Sequence, residues 1–170
     1  MSAAGQMRFP SRERAGTFAH KRMVDDERLR VAEILLVEDN PGDVRLMREA
    51  FHELATPHRL NVVGTGGEAL RYLRREEGHV AAPRPDLVLL DLTLPDIHGM
   101  EVLAAMKGDA ALRRIPAVVF SSSEVREEVV EAYNLNANSF IAKPADMREY
   151  LRVVKGMEEF WLTVVKLPKD

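Results

Sequence analysis

Residues 87–103 read LVLLDLTLPDIHGMEVL, and this stretch decides the fold. Its first half continues an unbroken apolar run that predicts a short strand over residues 86–90, buried on both faces. A single acidic residue, Asp91, ends the run. A turn containing Pro95 and Gly99 follows, and residues 100–107 take up a helical pattern. A strand, a polar tip, a turn and a helix make one βα unit.

The same unit recurs on either side. Residues 33–38 (EILLVE) predict a strand, and Asn40-Pro41 then supplies an N-cap followed by proline at the first helical position. Residues 59–64 predict a second strand. Thr65-Gly66-Gly67-Glu68 reads as a capping box opening a helix over Ala69, Leu70 and Leu73. Downstream, residues 115–120 (IPAVVF) form another buried strand, 124–133 a helix, 139–142 a short fifth strand and 146–166 a long final helix. Continuous apolar strands alternating with helices imply an α/β protein with a parallel sheet covered on both sides. Five units are too few for the usual eight-unit barrel, so the expected architecture is an open, doubly wound five-stranded parallel sheet.

Composition narrows the function. The chain has 170 residues, enough for one ordinary domain, a formal net charge of −3 and no cysteine. The charge gives no case for nucleic-acid binding. Without cysteine there are no disulfides, thiolate metal sites or thiol nucleophiles, which fits a reducing compartment. No apolar run spans a membrane and no secretory signal pattern is present, so a cytoplasmic location is expected. Residues 1–30 differ from the rest: seven Lys/Arg, four Asp/Glu, scattered Gly and Pro and no sustained period predict a disordered tail. Met23 is a second candidate start beside Met1. The domain itself is expected over 31–168.

In an open parallel sheet, ligands bind at the carboxyl ends of the strands. Those ends carry Glu38 and Asp39, Asp91, Ser121 and Lys143. Alone, each has an ordinary reading as a solvated turn, a helix cap or a surface lysine. Together on one rim they define a chemistry. Clustered carboxylates repel and need a counter-charge. With oxygen ligands only, the natural partner is a hard cation such as Mg²⁺. The metal and Lys143 would make a cationic pocket for a phosphoryl group, with Ser121 donating to a phosphoryl oxygen. Asp91, between them, is the best-placed nucleophile for an aspartyl phosphate.

With LLVEDN at 35–40, LVLLDLTLPDIHGMEVL at 87–103, PAVVFSSS at 116–123 and FIAKP at 140–144, the chain from about residue 33 to 165 resembles the receiver domain of two-component response regulators. The resemblance implies a flavodoxin-like fold with strand order 2-1-3-4-5, a phosphoryl group received on Asp91 from a sensor histidine kinase, and a switched protein-interaction surface. It makes Asp39, Asp91 and the backbone carbonyl of Thr93 the Mg²⁺ ligands, with Glu38 acting through water. Lys143 would contact the phosphoryl group, and Ser121 and Phe140 would form the switch pair. It also implies a cis Lys143-Pro144 bond. Positions matching Thr93 and Ser123 tune hydrolysis in the family; neither is acidic or an amide here, so a persistent phosphoryl group is expected. The long connection at 76–85 and the C-terminal EEFWLTVVKLP (158–168) are similar to stand-alone receivers that partner phytochrome-type kinases.

Other classes fit less well. An aspartate-nucleophile phosphohydrolase would need an acid two residues after Asp91, where Thr93 stands. A flavin-binding protein would need a phosphate-cradling loop, and none stands out. A transcription factor would need a reader domain after residue 143. A dimeric, non-cycling receiver scaffold is the nearest alternative, though the intact Glu38, Asp39, Asp91 and Lys143 speak against it. On an ideal wheel the apolar residues of the last helix cover roughly 200°, about twice the stripe that one core needs. The excess predicts a homodimer through Tyr150, Met157, Phe160, Trp161 and Val164; the alternative is that the tail folds back on its own domain.

Overall fold

The computed structural model describes residues 31–53 and 56–168. The expected tail and both candidate starts lie outside the described residues. Strands β1 (Ala32–Val37), β2 (His58–Val63), β3 (Leu87–Leu90), β4 (Ala117–Ser121) and β5 (Ser139–Ala142) alternate with helices α1 (Pro41–His52), α2 (Gly66–Arg74), α3 (Gly99–Gly108), α4 (Arg126–Asn134) and α5 (Met147–Glu158). The strands form one parallel sheet in the order β2-β1-β3-β4-β5, as expected.

Burial follows position in the sheet. β3 and β4 are buried throughout and β1 from its second residue onward, whereas the edge strands β2 and β5 are mostly half-buried. Successive side chains leave a strand on opposite faces. Leu35, Val37, Val88, Leu90, Ala117 and Val119 thus join α2, α3 and α4 in one core. Ile34, Leu36, Leu87, Leu89, Val118 and Phe120 join α1 and α5 in the other. Each fully buried Leu, Ile or Phe of these layers contributes about 1.5–3 kcal/mol of transfer free energy.

The helix starts form as their sequences direct. Asn40 Oδ1 accepts from the N–H of Gly42 (2.8 Å) and Asp43 (3.3 Å), with Pro41 at the first helical position. Thr65 Oγ1 accepts from the Glu68 N–H at 3.1 Å. The returning bond of the capping box is shifted by one residue: Glu68 Oε2 takes the N–H of Gly64, at 3.2 Å.

The C-terminal region departs from expectation. The helix expected over 146–166 is α-helical only to Glu158, and Glu159–Val164 form a π-helical turn closed by the Val165 N–H donating to the Phe160 carbonyl, five residues back, at 2.9 Å. At 3.6 residues per turn Val164 would return to the stripe of Met157, seven residues earlier. The wider turn carries it outward, to 68% exposure. The homodimer surface expected through Tyr150, Met157 and Trp161 is corrected: all three are buried in their own domain, in the α1–α5 core. Tyr150 stacks edge-on against Phe120 with ring centroids 5.5 Å apart. The wide apolar arc is therefore mostly consumed by the chain's own fold, and of the five named residues only Phe160 and Val164 remain exposed.

Candidate functional site

The strand order reverses between β1 and β3, and the pairing register sets what meets there. Val37 pairs with Leu90, so Glu38 and Asp91 emerge side by side from the carboxyl ends of β1 and β3. Ser121 pairs with Ala142, which brings Lys143 out next to β4; its N–H donates to the Ser121 carbonyl at 2.7 Å. Gly99 closes the loop after Asp91. A Cβ there would sit 2.2 Å from the Asp91 carbonyl oxygen and 2.7 Å from Leu92 Cα, so only glycine lets α3 start so close to the β3 tip.

Lys143 is the centre of the pocket. Its ammonium donates to Glu38 Oε2 at 2.5 Å, Asp43 Oδ2 at 2.8 Å and Asp91 Oδ2 at 2.8 Å. The Lys143 side chain is 8% exposed, and those of Glu38 and Asp91 are 3% and 7%. The backbone takes the remaining carboxylate oxygens. Glu38 Oε1 accepts from the Asn40 N–H at 3.0 Å, and Asp91 Oδ1 from the N–H of Leu92 (2.6 Å) and Thr93 (3.3 Å). Asp39 stands exposed at the rim, and ligand oxygens of Glu38, Asp39 and Asp91 lie within 4.8 Å of one another.

The pocket is electrostatically unbalanced. Burial pushes the Glu38 carboxyl above its ordinary value and the Asp91 charge adds to the rise, while the Lys143 and Asn40 bonds pull it back. Burial would lower the Lys143 pKa, but the bonds to Asp43, Asp91 and Glu38 outweigh it and hold the ammonium well above its ordinary value. Three carboxylates (Glu38, Asp43 and Asp91) thus share one buried cation, and a fourth, Asp39, stands beside them. Such an oxygen-only, anion-rich donor set fits a hard divalent cation.

The remaining expected site residues fall in place unevenly. Ser121 is fully buried, and its hydroxyl oxygen accepts from the Ser123 N–H at 3.2 Å, which engages it with its own loop. Phe140 is half-buried against the α2–α4 core, its N–H donating to the Tyr133 hydroxyl oxygen at 3.4 Å. Thr93 is exposed. The Lys143-Pro144 bond expected to be cis is trans. A tertiary amide still favours trans by about 0.5–1 kcal/mol, and with the trans bond Lys143 already makes both its backbone and its ammonium contacts.

Two functional neighbours escape a reading of strand ends. Asp43 lies in the first turn of α1, where an acid suits the helix dipole and needs no other reason. The usable signal is its place four residues after Asp39, on the turn that leaves the β1 tip. Asp96 accepts from the N–H of Gly66 and Gly67, both at 2.8 Å, tying the loop after Asp91 to the start of α2. Burial acts to raise its pKa, but the N–H groups of Gly67, Ile97, Gly66 and Asp96 itself bring it down to about 2.

Comparison with known proteins agrees with this geometry. The family model for the response regulator receiver domain matches residues 34–155. Response regulator Rcp1 of Synechocystis sp. is 38% identical over 135 residues, 79% of this chain and 92% of that protein. The crystal structure of the phosphorylated cyanobacterial phytochrome response regulator RcpA superposes with a TM-score of 0.80 at 45% identity, covering 82% of this chain and all of that one. The Mn²⁺-bound form of Rcp1 gives a TM-score of 0.78 at 38% identity, with 81% and 99% covered. A family match over most of the chain, these relatives and a parallel sheet with an acid-and-lysine pocket at its switch point lead to one conclusion: the chain belongs to the response regulator receiver domain family, and is similar to response regulator Rcp1 and to the cyanobacterial phytochrome response regulator RcpA.

Proposed function

We propose that the chain is a phosphoacceptor switch, receiving a phosphoryl group on Asp91 from the phosphohistidine of a sensor histidine kinase of phytochrome type, in the cytoplasm. The observation that carries this reading is the buried Asp91 carboxylate bonded to the buried Lys143 ammonium beside an excess of acidic groups. A carboxylate oxygen of Asp91 forms a bond to phosphorus as the P–N bond breaks. The electron pair stays on the imidazole nitrogen, and the ring leaves neutral when its other nitrogen carries a proton. Lys143 supplies a charge-assisted donor to the transferring oxygens. Asp39, Asp91, Glu38 and the Thr93 carbonyl are the groups that would hold Mg²⁺, which neutralises charge on the phosphoryl oxygens. The phosphoryl group would then draw the Ser121 hydroxyl from its Ser123 contact and let Phe140 turn further inward, changing the surface around α4 and β5. Thr93 and Ser123 are poorly suited to orient an attacking water, so the phosphoryl group should persist.

The test is intact mass after incubation with phosphoramidate and Mg²⁺. One phosphoryl group should be added to the wild type and none to Asp91→Asn. Equal labelling of the two would overturn the assignment. Ser121→Ala should still be labelled but show smaller NMR shifts over residues 122–145. Assembly, where it occurs, would use Phe160 and Val164, which are 52% and 68% exposed on the π-helical turn. Sedimentation of the wild type against a Phe160→Ser, Val164→Ser variant tests it; a wild-type monomer with and without phosphodonor would reject it.

A further inference from the structure

We propose that Asp43 is a positioning residue for phosphoryl transfer: from the first turn of α1 it anchors the Lys143 ammonium, so that the N–H now given to Asp91 can pass to a phosphoryl oxygen. This rests on the phosphoacceptor reading above. An ammonium has three donors and no acceptor. In the pocket Glu38, Asp43 and Asp91 take one each, at 2.5, 2.8 and 2.8 Å, and the lysine side chain is only 8% exposed.

The three partners are not equivalent. Asp91 is the group that reacts, and its contact with Lys143 must change when it becomes an acyl phosphate. Glu38 belongs with Asp39 and Asp91 to the trio whose oxygens converge within 4.8 Å, where a cation would draw on it. Asp43 is outside that trio, so its bond to Lys143 is the one that neither event takes away. It is also well fixed. Its N–H is held by the Asn40 cap at 3.3 Å, and Pro41 restricts the turn that carries it. Its charge also acts on α5: after burial, Asp43 is the largest influence holding the Tyr150 phenol above its ordinary value.

The experiment measures the labelling rate of the full chain by phosphoramidate at saturating Mg²⁺, with thermal melts verifying that each variant is folded. Asp43→Asn should slow labelling about five- to tenfold, the effect of losing one charge-assisted anchor, and Asp43→Glu should restore most of the rate. In a Lys143→Met background, Asp43→Asn should have no further effect on the residual rate, because the two residues act as one unit. An unchanged or faster rate in Asp43→Asn would overturn the proposal, the faster rate by making Asp43 a competitor for Lys143. Equal slowing in the Lys143→Met background would overturn it too, by removing the link to Lys143. If the Asp91→Asn control is still labelled, the phosphoacceptor reading itself fails, and the role of Asp43 with it.

Discussion

A buried glutamate stands at each end of β1, Glu33 near its start and Glu38 just past its last residue, and the two live in opposite electrostatic worlds. Glu33, 8% exposed at the entry, gives its carboxylate to the Arg59 guanidinium and to Asn61 Nδ2 at 3.0 Å. Its own backbone is paired with Asp86, whose Oδ2 takes the Glu33 N–H at 2.9 Å. Glu38, 3% exposed at the exit, shares one lysine with Asp43 and Asp91, and Asp39 stands beside them. At the entry the acid is matched and serves the fold. At the exit the acids outnumber the cation, and the fold carries repulsion that a bound cation would relieve. Burial does not mark the functional end, since both glutamates are buried; unbalanced charge does.

The largest expected effect comes from removing each end's cation. Lys143→Met leaves buried carboxylates unpaired and should lower stability in Mg²⁺-free urea denaturation by about 3–5 kcal/mol, with Mg²⁺ recovering part of the loss. Arg59 is mostly solvent-exposed, and Arg59→Met should cost no more than about 1 kcal/mol. Equal losses would erase the contrast between the two ends.

Neutralising the glutamates sharpens the contrast because the signs should differ. Glu33→Gln weakens a charge-assisted pairing and should destabilise by about 1–2 kcal/mol. Glu38→Gln removes a charge that burial, and to a lesser degree the Asp91 carboxylate, disfavours, and should stabilise the metal-free protein, while phosphorylation by a small donor falls. Destabilisation by both variants would mean that the exit pocket is balanced after all.

Acid titration examines the same pair by linkage. Glu38 has a folded pKa above its ordinary value of 4.5. Its protonation therefore favours the folded state; that contribution is full below pH 4.5 and is lost as pH rises through the folded pKa. The advantage of Glu38→Gln over wild type in metal-free buffer should thus shrink as the solution is acidified from neutrality toward pH 4.5. An advantage that stays constant with pH would rule out Glu38 as its source.

The smallest effect belongs to a third kind of acid, held by backbone amides rather than by a cation. The folded pKa of Asp96 is depressed from 3.8 to about 2, so its contribution is present above pH 3.8 and disappears as pH falls through about 2. Its exposure weakens the effect, and Asp96→Ala should cost about 0.5–1 kcal/mol at neutral pH. Thermal melts at neutral pH and below about pH 2 should show that difference and then its loss.

Much of this molecule was legible from local chemistry. Unbroken apolar runs marked β1, β3 and β4, because interior strands of a parallel sheet bury both faces. Asn40-Pro41 and Thr65 through Glu68 marked two helix starts, because caps are satisfied within a few residues. Glu38, Asp39, Asp91, Ser121 and Lys143 could be named as candidates because each directly follows an apolar run. Tertiary structure decided the rest. Parallel register, a long-range property, brought Lys143 onto Glu38 and Asp91 across 105 and 52 residues of chain. Asp43 joined them because α1 turns back over the β1 tip, a placement that no periodicity encodes. The Lys143-Pro144 bond is trans, the isomer an X–Pro amide favours unless its surroundings select otherwise. The last helix shows the limit most plainly. Its wide apolar arc was visible in the sequence, but an arc does not say what covers it. Packing against α1 and the sheet buried Tyr150, Met157 and Trp161 within the domain, and the π-helical turn carried Val164 outward beside Phe160.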